Sequence, residues 1–150
     1  MREQKAEELQ KPRDIAILAG LSSPRLEARD NADEESMAEL EALVETAGGE
    51  AAASVLQNRA SPDPRTFIGE GKVAEIKELV KNEAATTVIF DNDLSPSQLR
   101  VLTEELGVQV LDRSALILDI FAQRARTREG RLQVELAQYQ YLLPRLTGMW

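Results

Sequence analysis

Residues 86–112 read TTVIFDNDLSPSQLRVLTEELGVQVLD, and this stretch decides the fold. It opens with five β-branched and aromatic residues, which is typical of a strand buried on both faces. Ser95 and Pro96 then match the N-cap and first position of a helix. The helix carries one apolar stripe, Leu99, Leu102 and Leu106. Since Val108 to Leu111 is again a strand-sized apolar run, the order predicts two parallel strands joined by a crossover helix.

The same alternation continues toward the N-terminus. Asp14 to Ala19, closed by Gly20, and Ala51 to Leu56 are apolar runs of strand length. One helical stripe ends at the pair Gly48-Gly49, and another begins at Gly71. The members of these two stripes are Met37, Leu40, Val44 and Ala47, then Val73, Ile76, Leu79 and Val80. We therefore predict an α/β fold with a four-stranded parallel sheet and helices on both faces.

The alternation of strands and helices ends after Asp112. We expect a mobile leader over 1–12, an α/β domain over 13–112 and a helical subdomain over 113–150. The last helix carries a heptad seam of Leu132, Leu136, Tyr139, Leu143 and Leu146. The helix before it can cover one side of this last helix with the apolar side chains Leu116, Ile117, Ile120 and Phe121. The other side has no partner in the chain, so we expect the first arm of an incomplete helical hairpin, cut short by truncation.

Composition excludes several classes of chemistry. The chain has no cysteine and no histidine, which removes thiol chemistry, histidine-based catalysis and most zinc sites. No apolar run approaches the roughly 18 residues of a membrane span, and the polar N-terminus is not a secretory signal. These features predict a cytoplasmic protein without a membrane span.

The charge is distributed unevenly. Up to Asp112 the chain has 12 Lys and Arg against 23 Asp and Glu, whereas Arg113 to Trp150 has 6 against 3. Four of those six are grouped as Arg124, Arg126, Arg128 and Arg131. Guanidinium groups bind phosphate oxygens bidentately, so the sequence favours RNA contact here. The alternative is a solvated turn that forms salt bridges with the acidic body.

The loop Gly69-Glu70-Gly71-Lys72 is a second candidate site. A glycine-rich loop that opens a helix can direct backbone N–H groups at a phosphate. A P-loop, however, needs four residues between its glycines and a Ser or Thr after the lysine, whereas here one residue separates them and Val73 follows. A structural loop is therefore favoured over a phosphate or nucleotide contact by Gly69, Gly71 and Lys72.

Acidic residues follow two predicted strands, at Asp91, Asp93 and Asp112. Carboxylates at the carboxyl ends of parallel strands can hold magnesium. They also stand one to three residues before a helical stripe, where N-caps belong. We favour capping by Asp93 or Ser95 and by Asp112 or Ser114, and we assign no metal site and no catalytic residue.

The string DRSALILDIFAQRARTREGRLQVELAQYQYLLPRL, from Asp112 to Leu146, closely resembles the end of the N-terminal domain of HflX-type ribosome-associated GTPases. Arg65 to Glu75 and Val88 to Gln98 match as well, and the resemblance runs from about Asp14 to Trp150. In that family the α/β domain precedes a helical hairpin and a P-loop GTPase domain.

The resemblance implies a function on the ribosome. The family acts on the large (50S) subunit, splitting or rescuing stalled and stress-damaged ribosomes, and the N-terminal domain reaches ribosomal RNA. GTP and Mg²⁺ would belong to the GTPase domain, so the resemblance implies no cofactor here and places the GTP-hydrolysing site outside this chain. Two alternatives stay open: a small nucleotide-binding domain that uses Gly69 to Lys72, and an interaction module that forms homodimers through the exposed last helix.

Overall fold

The computed structural model describes residues 14–124, 136–138 and 140–141. Four parallel strands form one sheet: β1 (Ile15–Ser22), β2 (Glu50–Asn58), β3 (Thr87–Phe90) and β4 (Gln109–Asp112). Their order across the sheet is β2-β1-β3-β4, so the longest strands lie at one side and the shortest at the other. The predicted α/β class and parallel sheet are confirmed.

Four α-helices accompany the sheet: α1 (Glu34–Thr46), α2 (Glu70–Asn82), α3 (Pro96–Leu106) and α4 (Arg113–Arg124). A short 3-10 helix, Ala28–Asp30, precedes α1. The predicted cap of α3 is confirmed, because the Ser95 side chain accepts a hydrogen bond from the Gln98 backbone N–H and Pro96 is the first helical residue. Gly48 has a φ of 90°, as the end of α1 requires.

The helices cover both faces of the sheet. On one face α2 and α3 bury their stripes against Ile17, Val88 and Phe90. On the other face α1 and the first part of α4 pack over Leu18 and Ile89. Each strand of the central pair β1 and β3 is therefore apolar on both sides, which is why their sequences read as continuous apolar runs.

The first strand is longer than the sequence predicts, since β1 continues through Gly20 to Ser22. Gly20 does not end the strand; it lets α1 approach it. A Cβ at this position would stand 2.7 Å from the Met37 sulfur and 2.9 Å from the Ala32 Cβ. The glycine is therefore a packing residue inside the strand, which the pattern of apolar residues could not distinguish from a strand end.

Two residues of the predicted α4 stripe pack on the sheet side. Leu116 and Ile120 are buried in the same cluster as α1 and the sheet, so these two side chains pack on the α/β layer. Phe121 is 57% exposed. Residues 136–138 and 140–141 are also helical, while most of the predicted hairpin arm lies outside the described residues.

Candidate functional site

The carboxyl edge of the sheet has a topological switch point between β1 and β3. The chain leaves β1 toward α1 on one face and leaves β3 toward α3 on the other, which is the arrangement that opens a crevice in α/β sheets. A cavity of about 420 Å³ lies here. Its lining is polar and mostly charged, and includes Asp33, Ser36, Asp91, Asp93, Arg113 and Ser114.

The side-chain amide of Asn92, which lines this crevice, forms three hydrogen bonds to backbone groups. Its Oδ1 accepts a hydrogen bond from the Leu21 backbone N–H at 2.8 Å, and its Nδ2 donates to the carbonyls of Leu21 at 3.0 Å and Asp30 at 2.8 Å. The side chain thus links β3 to β1 two residues beyond the last strand pair, Ala19 and Phe90, and holds the 3-10 turn through Asp30. Its position two residues after β3 was the sequence signal available for this role.

Asp91 and Arg113 form an ion pair at the same edge. The Arg113 Nη1 lies 2.7 Å from Asp91 Oδ1, and Nη2 lies 2.9 Å from Glu39 Oε2. The Ser36 hydroxyl donates to the second Asp91 oxygen at 2.6 Å. Burial lowers the pKa of Arg113, but its hydrogen bonds to Asp91 and Glu39 outweigh burial and raise the pKa overall. Sequence reasoning did not single out Arg113.

The remaining carboxylates cap or support the start of α4. Asp112 Oδ1 accepts from the Ala115 backbone N–H at 3.1 Å, so Asp112 is the N-cap, as predicted. Its second oxygen accepts from the Leu94 backbone N–H at 3.2 Å. Asp93 accepts from the Ser114 hydroxyl at 2.7 Å. Each carboxylate thus accepts from a protein donor, and the described part of the chain holds no cluster of three or more acidic side chains arranged for a metal.

Tyr141 also contacts the Asp112 carboxylate, through a hydrogen bond from its hydroxyl. Asp112 is fully buried. One carboxylate therefore connects the loop after β3, the first turn of α4 and the helical residues 140–141.

The glycine loop opens α2, and its described contacts are with other residues of this chain. Gly69 is the N-cap, and its N–H donates to the Gln57 side chain at 2.9 Å. Lys72 Nζ pairs with Glu75 Oε2 at 2.9 Å. A Cβ on Gly71 would meet nothing within 4 Å, so the fold does not require glycine there. These contacts give the loop a structural role, and the phosphate contact stays a prediction.

A tight turn precedes this loop. Phe67 is buried with a φ of 66°, a left-handed conformation that is rare for an aromatic residue. Asp63 fixes the turn, since its Oδ1 accepts from the backbone N–H groups of Arg65 at 2.8 Å and Thr66 at 3.1 Å. Those backbone hydrogen bonds, from Thr66 first and Arg65 second, lower the pKa of the Asp63 carboxyl.

The structure describes the chain up to the first residue of the arginine cluster. The described part of α4 extends to Arg124. The side chain of Arg124, together with Arg126, Arg128 and Arg131, lies outside the described residues. The prediction of RNA contact by these four residues therefore stays a prediction.

No helix in the described ranges has the length and apolar character needed to cross a bilayer.

Comparison with known proteins supports the sequence resemblance. Residues 34–122 match the family model described as GTP-binding GTPase N-terminal, and residues 124–150 match the one described as GTP-binding GTPase Middle Region. GTPase HflX from Alkalihalophilus pseudofirmus is 49% identical over 140 residues, covering 92% of this chain and 32% of that protein. GTPase HflX from Escherichia coli is 52% identical over 118 residues, covering 79% and 28%.

A solved structure shares the fold. A GTP-binding protein from the archaeon Sulfolobus solfataricus, in complex with GDP, aligns with a TM-score of 0.69 and 30% identity, over 91% of this chain and 39% of that one. The chain thus spans about a third of the length of the curated relatives it matches. Both the sequence matches and the shared fold lead to one family. The chain belongs to the HflX family of GTPases and corresponds to its N-terminal and middle regions.

Proposed function

We propose that this chain is the part of an HflX-type GTPase that holds the protein on the large ribosomal subunit, and that Arg124, Arg126, Arg128 and Arg131 contact ribosomal RNA. The observation that carries the proposal is the grouping of these arginines next to a strongly acidic domain in a chain of this family. Ribosome splitting or rescue would then be the activity of the whole cytoplasmic protein. GTP and Mg²⁺ would bind its GTPase domain, the second partner of this chain.

The charge of the α/β layer supports this assignment. Helix α1 has five glutamates and no basic residue, so its exposed surface repels a phosphate backbone. Only one of these glutamates, Glu39, forms an ion pair within the described residues. An RNA partner is therefore repelled by α1, and the four arginines from Arg124 to Arg131 are the densest group of positive charges in the chain.

Salt dependence of binding to purified large subunits tests the proposal. Each phosphate contact releases counterions, so losing four contacts should reduce the slope of log affinity against log salt by about 3. We expect the quadruple alanine variant at positions 124, 126, 128 and 131 to show this reduction together with weaker binding at low salt.

A matched variant separates this effect from a general change of charge. Four basic residues on the α/β domain are exposed and form no ion pair among the described residues: Arg25, Lys77, Lys81 and Arg100. Their replacement by alanine alters net charge equally and should leave the slope nearly unchanged. Equal loss in both variants would refute a specific arginine contact.

Self-association is a second proposal, favoured by exposed apolar side chains near the end of the described chain. Phe121 is 57% exposed and Leu136 is 58% exposed. Two copies could cover these surfaces with each other. Sedimentation velocity of the full chain against a version ending at Arg128 tests the part played by the last helix, which includes Leu136, because the shorter chain keeps Phe121. A dimer that persists in the shorter chain cannot be formed by the last helix.

A further inference from the structure

The outer edge of β2 has no neighbouring strand among the residues that the structure describes. β2 has nine residues and pairs with β1 on its inner side, and no described strand lies on its outer side. Sheet edges expose backbone N–H and C=O groups, and proteins usually protect them with lysine, proline or inward charges. From Ala51 to Asn58 the strand contains no proline and no charged residue. This edge is therefore competent to receive another strand.

A groove runs beside this edge on the side of α1. Its volume is about 260 Å³, and Met37, Ala38 and Leu56 form its apolar part. Glu34 and Glu41 lie on its polar side with Ser54. Both glutamates are exposed, and neither has an ion pair in the part of the chain that the structure describes. The groove thus combines room for one apolar side chain with two free negative charges.

We propose that the β2 edge and this groove bind an extended segment of a partner protein, which adds a fifth strand to the sheet. Main-chain hydrogen bonds to β2 would supply affinity, and the groove would supply selectivity. The segment should carry an apolar side chain for the surface of Met37 and Leu56. Lysines or arginines two residues before and two residues after it, which share its face of the sheet, would pair with Glu34 and Glu41.

The same charges disfavour a second copy of this chain as the occupant. Antiparallel pairing of two β2 strands would place both α1 helices on the same face of the joined sheet. The exposed glutamates of one α1 would then lie opposite those of the other, which is unfavourable. RNA is disfavoured at this surface for the same reason. The proposal is independent of the arginine contacts described above.

Binding of three synthetic nine-residue peptides tests the proposal. The first has valine at position 5, lysine at positions 3 and 7 and threonine elsewhere, so that valine and both lysines share one face of the strand. The second has glutamate in place of both lysines, and the third repeats the first with every second amide nitrogen methylated. Measured by fluorescence anisotropy with the intact chain, the first should bind, and the other two should bind at least tenfold more weakly. In hydrogen exchange, the first peptide should slow exchange of amides within 51–57.

Matched variants locate the site. Glu34→Gln with Glu41→Gln should weaken binding of the lysine peptide about fivefold, the loss of two exposed charge pairs. Glu78→Gln with Glu104→Gln removes two exposed charges from α2 and α3 on the other face and should leave binding within twofold. Equal weakening by both pairs, equal binding of the methylated peptide, or no binding of the lysine peptide would overturn the proposal. Concentration-dependent protection of 51–57 without peptide would assign the edge to a second copy instead.

Discussion

The hydroxyl of Tyr141 donates a hydrogen bond to the buried carboxylate of Asp112, which also caps α4. Hydrogen bonds to a charged acceptor contribute more than neutral ones because the charge strengthens them. Tyr141→Phe removes the donor and keeps the ring, so we expect a loss of about 1–2 kcal/mol in the free energy of unfolding. Urea unfolding measures this loss.

Asp112→Asn provides the companion measurement. The amide keeps one acceptor oxygen but loses the charge that three donors share. We expect it to be more destabilising than Tyr141→Phe. If Tyr141→Phe were neutral, the helical residues 140–141 would not be held by this contact in solution.

Arg113→Met should be strongly destabilising because it leaves Asp91 buried without its ion-pair partner. The Asp91 side chain is 3% exposed, and the Ser36 hydroxyl would be its remaining side-chain donor. Breaking a buried pair from one side typically costs about 3 kcal/mol. Adding Asp91→Asn removes the uncompensated charge and should recover part of that loss. Additive losses in the double mutant would contradict a direct interaction between the two residues.

Gly20→Ala should destabilise the fold, whereas Gly71→Ala should not. At Gly20 the new methyl group would stand 2.7 Å from the Met37 sulfur, an overlap that costs about 1–3 kcal/mol to relieve. At Gly71 the methyl group meets nothing within 4 Å and the residue is helical, so alanine should stabilise by up to about 0.5 kcal/mol. Thermal unfolding of both variants measures this contrast.

Gly71→Ala also tests the alternative that the glycine loop contacts a phosphate. Since the fold itself has room for the methyl group, a variant of normal stability that loses nucleotide binding would identify a ligand at the loop. Calorimetry with ATP and GTP on this chain and on Lys72→Ala should detect no tight binding, because the loop lacks the glycine spacing of a P-loop and Val73 stands where a Ser or Thr would hold Mg²⁺.

The Asp63 turn should contribute stability that depends on pH. Hydrogen bonds from the Thr66 and Arg65 backbone lower the pKa of Asp63 below its ordinary value of 3.8. A lowered folded-state pKa means that the contribution is fully present above the ordinary value and is lost as the pH falls through the folded-state pKa. We expect Asp63→Asn to be less stable than the parent at pH 7, with the difference shrinking below about pH 4. A constant difference down to pH 2 would show that the charge is not involved.

Local patterns were sufficient to predict the strands and caps. The run at residues 86–90, the Ser95 cap and the Asp112 cap are each determined by a few neighbouring residues, and each is confirmed. Strand ends were less accurate: β1 extends beyond Gly20 because α1 packs against it there.

The contacts of the carboxyl edge could not be predicted in the same way. Asn92 bonds to Leu21, 71 residues away in sequence, and Arg113 reaches Glu39 on another helix. These pairings depend on the order of the strands, which the alternation of strands and helices does not determine. The arginine cluster was predictable only as a local excess of charge, and its geometry lies outside the described residues.

β4 ends at Asp112 and α4 begins at Arg113, so no linker residue separates the sheet from the helix. The direction of α4 is therefore dictated by the strand, by Leu116 and Ile120 below it and by the ion pair of Arg113. A helix of 12 residues advances about 18 Å. The start of the arginine cluster is therefore positioned by the sheet through α4, with the Arg124 backbone at the opposite end of the helix from the carboxyl edge.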